Sequence, residues 1–252
     1  MNSTSPTSPE TENLVAVVMG VGPSAGLGGA ICRRFAKLGL TVMVAGRTEE
    51  KIAGVAGEIS AAGGSAIPLI ADATDTEAVR RLFDAAESHG RIDASIFNAG
   101  GNWPIPFLEL TPERIEEFWR TACLGGFIFA QEALRRMLPA GRGTLLFTGA
   151  SASMRGRPNF SHFSAPKAGL RMLSQSLARE FGPQGIHVGH VVVDGGIDGE
   201  RLNTLAPQMV KAKGEDGMLS LEGLADLYEM LYRQPRAAWS LEVDARPFKE
   251  PF

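Results

Sequence analysis

A glycine-rich turn between a predicted strand and a predicted helix constrains this chain most. Residues 14–21 form a continuous apolar run rich in valine, which predicts a strand buried on both faces. The turn follows as Gly22-Pro23-Ser24-Ala25-Gly26-Leu27-Gly28, and apolar residues then recur at helical spacing. Glycine lets the backbone turn sharply beside a phosphate, and the helix N-terminus offers it free N–H groups. The pattern predicts a dinucleotide site at Gly22, Ser24, Gly26, Leu27 and Gly28; an ordinary helix entry is the less favoured alternative.

The rest of the chain alternates the periods of strands and helices. Short apolar runs predict strands at residues 14–21, 41–45, 66–71, 94–97, 144–148, 187–193 and 239–244. Helical patterns occupy residues 25–38, 74–88, 112–137, 161–181 and 221–232, and another helix follows Thr48. This alternation predicts an α/β fold with a doubly wound parallel sheet of the Rossmann type. A single domain accounts for residues 14–252.

The N-terminal segment and the composition exclude several classes of protein. Residues 1–13 contain no Lys or Arg, which predicts a disordered tail and no secretory signal. The net charge of −3 gives no basic surface for nucleic acid or an anionic membrane. The two cysteines, Cys32 and Cys123, are too few for a disulfide framework and lack metal-ligand spacing. We expect a cytoplasmic protein with no nucleic-acid, membrane or metal partner.

The end of the second predicted strand indicates which nicotinamide cofactor the turn would accept. A carboxylate there binds the ribose of NAD, whereas an arginine suits the 2′-phosphate of NADP. The sequence places Arg47 at this point, and Glu49 and Glu50 are explained as first-turn acids of the next helix. Arg47 is alternatively a solvated loop cation. The pattern favours NADP(H) over NAD(H).

Several motifs, taken in order, resemble those of the short-chain dehydrogenase/reductase family. They are the glycine turn, Asp72-Ala73, Asn98-Ala99-Gly100, Lys167 within residues 163–167, and Ile197 within residues 194–197. The resemblance covers nearly the whole body of the chain and implies a nicotinamide cofactor, a small-molecule substrate and a homodimer or homotetramer. It also implies that Asp72 meets the adenine, that Asn98-Ala99-Gly100 backs the cofactor, and that the Ile197 backbone meets the nicotinamide amide.

Only one of the four catalytic residues that the resemblance implies is present. In the family a tyrosine moves the proton, a serine holds the substrate oxygen, a lysine binds the nicotinamide ribose, and an asparagine holds a water. Lys167 fixes the register, which places Phe163 at the tyrosine position, Ala150 at the serine position and Cys123 at the asparagine position. The chain is similar to a divergent branch of the family that has phenylalanine for the tyrosine and retains the lysine.

The missing phenol leaves proton delivery open. We expect hydride transfer to a C=O, C=N or C=C bond, an iminium ion or a conjugated alkene needing least help from an acid. Asp194 is a candidate acid, although a turn former at a strand end is its simpler interpretation. The only two tyrosines, Tyr228 and Tyr232, share a helix face, where packing is the simpler role and a phenol in the pocket is the alternative. The competing hypothesis is a catalytically silent cofactor-binding protein that regulates or scaffolds.

The substrate side is specified only by apolar residues. Trp103-Pro104-Ile105-Pro106-Phe107 follows Asn98-Ala99-Gly100, and Met154 and Phe160 are further candidates. These residues favour a small apolar or aromatic substrate, with core or interface packing as the alternative.

Overall fold

The structure, a computed structural model, describes residues 12–250 of the chain. Most of the predicted disordered tail, residues 1–11, therefore lies outside the described residues. The last two residues assigned to that tail contact the start of a strand. The Asn13 carbonyl accepts the Arg91 backbone N–H at 2.9 Å, and the Glu12 carboxylate pairs with the Arg91 guanidinium at 2.7 Å.

Seven strands form one parallel sheet, which confirms the predicted α/β fold. They are β1 (Leu14–Met19), β2 (Thr41–Gly46), β3 (Ala66–Ile70), β4 (Arg91–Phe97), β5 (Gly143–Thr148), β6 (Ile186–Val193) and β7 (Glu242–Ala245), in the order β3-β2-β1-β4-β5-β6-β7. The inner strands are buried on both faces, as continuous apolar runs require. The last strand begins three residues later than the predicted start at residue 239.

Nine α-helices connect and cover the strands in the part of the chain that is described. They are α1 (Leu27–Lys37), α2 (Glu49–Ala61), α3 (Thr76–His89), α4 (Pro112–Trp119), α5 (Gly125–Met137), α6 (Ser161–Phe181), α7 (Glu200–Leu205), α8 (Pro207–Lys213) and α9 (Leu221–Arg233). Helices α3, α5 and α6 pack on one face of the sheet, and α1, α2 and α9 pack on the other. Between residues 12 and 250, no helix has the length and apolar character needed to cross a bilayer.

The predicted helix over residues 112–137 is interrupted. Residues Arg120–Leu124 form a π-helical turn between α4 and α5, which is wider than an α-helical turn. Such turns are frequent at functional sites because they change the face that the following residues present. Here Thr121 and Ala122 line a cleft, whereas Cys123 packs against α6.

The sheet order places a crevice between β1 and β4. The chain leaves β1 toward one face of the sheet and leaves β4 toward the other, so the loops after these two strands diverge. Ligands of open parallel sheets bind at this switch point, outside the carboxyl ends of the strands. The predicted glycine turn and Asn98-Ala99-Gly100 follow these two strands.

Candidate active site

A cleft of about 420 Å³ opens at this switch point. The segments after β1, β2, β3 and β4 all contribute to its walls, together with α4 and the first turn of α6. The predicted site residues that line it are Gly22, Arg47, Asp72, Ala73, Ala99, Gly100 and Phe163. Residues more than 140 positions apart in the sequence therefore meet in one depression, which is the candidate active site.

The glycine turn has the shape that a pyrophosphate requires. A Cβ added to Gly28 would lie 3.0 Å from the Val21 Cα, so α1 packs closely against the end of β1. A Cβ added to Gly22 would meet no atom within 4 Å, and this residue borders the cleft. The helix N-cap, Gly26, makes no side-chain hydrogen bond, so no side chain caps the first-turn N–H groups of α1. These features fit a nicotinamide dinucleotide.

Ser24, predicted to contact the cofactor, is hydrogen-bonded to side chains of α1 and α2. Its hydroxyl accepts a hydrogen bond from Arg33 at 2.8 Å and donates one to Glu58 at 2.5 Å. Arg33 also donates to the Ser24 carbonyl at 3.1 Å. Because both neighbours hold its side chain, Ser24 braces the turn against α2 and does not line the cleft.

Two cations border the cleft beyond the end of β2. Arg47 is 75% exposed in its side chain, and its guanidinium lies 4.0 Å from the Asp72 carboxylate. Lys51, one turn into α2, also lines the cleft. No sequence motif indicates it, because the helix brings it back to the strand end. The first-turn acids Glu49 and Glu50 are absent from the lining. Positive charge therefore borders the cleft beyond the end of β2.

The carboxylates in the cleft lining are already engaged. One oxygen of Asp72 accepts the Thr74 backbone N–H and hydroxyl, each at 2.8 Å, and so fixes the turn after β3. Glu117 accepts a hydrogen bond from Arg114 at 2.7 Å. Both carboxylates of the lining therefore already accept hydrogen bonds from neighbouring groups.

Asn98 ties together the ends of three strands. Its amide nitrogen donates to the Gly20 carbonyl at 3.2 Å, and its amide oxygen accepts the Thr148 hydroxyl at 3.0 Å. The Tyr228 hydroxyl donates to that Thr148 oxygen at 2.6 Å. Asn98 thus holds the backbone behind the cleft, in the region where the resemblance places the cofactor.

Neither tyrosine lines the cleft. Tyr228 is completely buried under β5, and burial raises the pKa of its hydroxyl. Tyr232 donates to the Asp93 carboxylate at 2.7 Å, near the amino end of β4, and borders a more open groove of about 590 Å³ there. That groove lies at the opposite edge of the sheet from the cleft. Packing, the simpler prediction, describes both side chains.

Lys167 lies buried next to Phe163, whose ring lines the cleft. The Lys167 ammonium is 5.8 Å from the centre of the Phe163 ring and donates to the Thr148 carbonyl at 2.7 Å. A Cβ on Gly100 would lie 3.5 Å from the same Nζ atom. Lys167 is 4% exposed, and burial lowers the pKa of its ammonium from 10.5 to about 8. A lysine and a phenyl ring therefore lie together, where the resemblance implies a lysine and a phenol.

Replacing Lys167 by methionine measures the free energy that the buried ammonium costs. We expect the free energy of unfolding at neutral pH to rise by about 1–2 kcal/mol, net of the lost hydrogen bond to Thr148. The wild-type penalty is full below pH 8 and is relieved as pH rises from about 8 toward 10.5, because the folded state then binds fewer protons than the unfolded chain. Urea unfolding at neutral pH and near pH 10 should show the advantage of the variant shrinking. A difference independent of pH would contradict this, and Lys37→Met on an exposed helix end is the control.

The serine and asparagine positions contribute no polar side chain to the cleft. Ala150 offers only its backbone N–H, which donates to the Ser153 hydroxyl at 3.1 Å. Cys123 packs against α6, where a Cβ on Gly169 would lie 2.9 Å from its sulfur. Burial raises the pKa of the Cys123 thiol, which disfavours a reactive thiolate.

Asp194, the predicted candidate acid, is held by two arginines. Arg155 and Arg246 approach its carboxylate at 3.0 Å and 2.7 Å, and Asp194 is 2% exposed. Both guanidinium groups contact its carboxylate, and Asp194 does not line the cleft. Ile197, three residues after Asp194, forms a parallel β-bridge with Leu219. Both residues pack on the α1 side of the sheet.

Comparison with known proteins gives the family. The short chain dehydrogenase profile matches residues 15–209. The chain belongs to the short-chain dehydrogenase family. Family members are oxidoreductases, and the sheet order and cleft agree with that assignment.

Relatives of this family extend the comparison. The uncharacterized oxidoreductase YuxG of Bacillus subtilis (strain 168) is 34% identical over 198 residues, which are 77% of this chain but 29% of YuxG. A short-chain dehydrogenase from Rhodopseudomonas palustris is 35% identical in its crystal structure, with a TM-score of 0.80 over 94% of this chain and 99% of that one. A metagenomic short-chain oxidoreductase solved with NADP is 26% identical, with a TM-score of 0.79 over 93% of this chain and 97% of that one.

Proposed function

We propose that this protein binds NADP(H) in the cleft and transfers hydride between it and a small apolar or aromatic substrate, without a tyrosine to carry the proton. It would belong to a divergent branch of the family with phenylalanine at the tyrosine position. The observation that carries the proposal is the buried Lys167 ammonium beside Gly100, next to a phenyl ring that lines an otherwise complete cofactor cleft. A buried ammonium is costly to retain, which supports a function for it.

Different residues of the cleft would bind different parts of the cofactor. The backbone around Gly22 and the N-terminus of α1 would hold the pyrophosphate, while Arg47 and Lys51 would hold the 2′-phosphate. Lys167 and the backbone at Gly100 would hold the nicotinamide ribose. When bound, the cofactor supplies the hydride donor or acceptor.

Phe163 determines which substrates are accessible. Its ring provides no exchangeable proton, and the described carboxylates of the cleft are paired with other groups. General acid catalysis typically contributes about 10²–10⁴-fold, so reduction of a simple ketone is disfavoured. A C=N bond that is already cationic, or a conjugated C=C bond that takes its proton later from water, avoids this loss.

Replacing both cations beyond β2 with alanine tests the cofactor preference. In Arg47→Ala/Lys51→Ala we expect the NADPH dissociation constant to rise about 10–100-fold, because charge-assisted hydrogen bonds to the 2′-phosphate are lost. The NADH constant should change less than about threefold, since NADH lacks that phosphate. Fluorescence titration measures both constants. Arg81→Ala, an exposed arginine of α3, is the matched control, and an equal loss for both cofactors would contradict the preference.

A catalytically silent cofactor-binding protein is the second candidate. The placement of both tyrosines outside the cleft and the pairing of Asp194 favour it. Titration with NADPH and NADH tests both candidates, since failure of both cofactors to bind would overturn them together. A screen of ketones, iminium ions and conjugated enones for NADPH oxidation then separates them. Turnover lost in Lys167→Ala supports the enzyme, and silence across the screen supports the binding protein.

The cytoplasmic location and the homodimer or homotetramer belong to the same proposal. Exposed apolar side chains on the helices of one layer, Trp119, Phe127 and Met172, support assembly, because their exposure of 43–49% in water is unfavourable.

A further inference from the structure

Arg201 reaches into the cleft from an element that the sequence motifs did not assign to it. It is the second residue of α7, and the start of α7 is docked on the glycine turn. The Glu200 backbone N–H donates to the Ala25 carbonyl at 2.8 Å, and a Cβ on Gly199 would lie 2.9 Å from the same oxygen. The backbone that carries Arg201 is therefore fixed beside the predicted pyrophosphate site.

The Arg201 side chain crosses the cleft to the loop after β4. Its Nη2 atom donates to the Asn102 carbonyl at 2.5 Å, and a Cβ on Gly101 would lie 2.8 Å from its Nη1 atom. Arg201 lines the same cleft as Trp103 and Phe163. The guanidinium thus lies near the Gly100 end of the cleft, away from Arg47 and Lys51 at the end of β2.

No carboxylate neutralises this cation among residues 12–250: none forms an ion pair with Arg201 within 4.0 Å. Arg155 and Arg246 by contrast share Asp194. A guanidinium has five N–H donors in a planar fork, and the Asn102 carbonyl accepts from one nitrogen only. The remaining donors match the oxygens of a phosphate or carboxylate.

We infer that Arg201 binds an anionic oxygen group in the cleft, either the pyrophosphate of the cofactor or a carboxylate of the substrate. The inference deepens the proposed function and rests on it for where the anion lies. Arg201 would supply the positive charge at the Gly100 end that Arg47 and Lys51 supply at the other end.

The first experiment needs no cofactor binding. Inorganic pyrophosphate is titrated by calorimetry into the full-length wild type, Arg201→Ala and Arg179→Ala. Arg179 is an exposed arginine of α6 whose guanidinium also donates to a backbone carbonyl, that of Gln175, so it is a matched loss of charge. If the anion is the pyrophosphate, its affinity should fall about tenfold or more in Arg201→Ala and remain unchanged in Arg179→Ala.

The second experiment separates the two sources of the anion. NADPH and 2′-AMP, which lacks the pyrophosphate, are titrated into the same proteins, and benzoate is compared with benzamide. Weaker NADPH and pyrophosphate binding with unchanged 2′-AMP binding assigns Arg201 to the cofactor. Unchanged NADPH binding with loss of a wild-type preference for benzoate over benzamide assigns it to a substrate carboxylate.

A third variant keeps the charge and moves it. Gly101→Ala would push against the tip of the Arg201 side chain, a flexible group that can shift without unfolding the protein. We expect Gly101→Ala to weaken binding of the same anion as Arg201→Ala does, by a smaller factor. That anion is pyrophosphate and NADPH in one case and benzoate in the other.

The inference is overturned if Arg201→Ala changes neither the pyrophosphate and NADPH affinities nor the benzoate preference, or if the wild type binds none of these anions. Failure of the proposed function has a different signature. The wild type would then bind pyrophosphate through Arg201 but bind neither NADPH nor NADH.

Discussion

The double variant Phe163→Tyr/Ala150→Ser is expected to reduce simple ketones with NADPH at least about 10²-fold faster than the wild type, measured as kcat/KM. The Phe163 ring already lines the cleft, with the Lys167 ammonium 5.8 Å from its centre. A hydroxyl on that ring would stand in the cleft beside a cation, which lowers the pKa of a phenol. A serine at Ala150 would add the hydroxyl that holds the substrate oxygen.

Two controls decide what a gain of ketone reduction means. Phe160→Tyr adds the same hydroxyl three residues earlier, outside the cleft lining, and should leave the rate unchanged. Adding Lys167→Ala to the double variant should abolish the gain if the ammonium assists the phenol. A folded double variant that binds NADPH yet reduces ketones no faster than the wild type would show that Phe163 does not occupy the proton-donor position.

Gly20→Ala is expected to lower the free energy of unfolding by about 3–5 kcal/mol. Gly20 has a φ of +92°, a conformation that side chains other than glycine rarely adopt. An added Cβ would also lie 2.4 Å from the Ala99 backbone nitrogen, where neither backbone can move without disturbing Asn98. The segments after β1 and β4 approach each other here, so the methyl group would separate the two walls of the cleft. Urea unfolding measures the loss.

Gly22→Ala is the matched substitution two residues later. A Cβ there would meet no atom within 4 Å, so the free energy of unfolding should change by less than about 0.5 kcal/mol. NADPH affinity should nevertheless fall about tenfold or more, because the methyl group would stand beside the cofactor phosphates. Full NADPH binding by Gly22→Ala would show that the phosphates pass elsewhere. Wild-type stability of Gly20→Ala would contradict the close approach of the two strand ends.

The site was predictable from sequence where one local element carries the information. Phe163 and Lys167 are four residues apart, so a helix places them on one face without reference to the rest of the fold. Gly22 and Asn98-Ala99-Gly100 follow strands, and parallel strands bring their carboxyl ends to one edge. The surroundings of Ser24 and Asp194 were not predictable, because Arg33, Glu58 and the two arginines that hold these side chains come from other elements.

The alternation of apolar periods, together with a glycine turn in the first strand–turn–helix unit, determined the α/β fold and the edge of the sheet where the cleft opens. These signals are local, because a strand or a helix leaves its period in a short window of sequence. Tertiary structure alone decided that Tyr228 hydrogen-bonds with Thr148 beneath the sheet, that Tyr232 lies at its far edge, and that Arg201 crosses the cleft. Such contacts join residues about 80–140 positions apart, and the direction of a side chain depends on how distant helices pack.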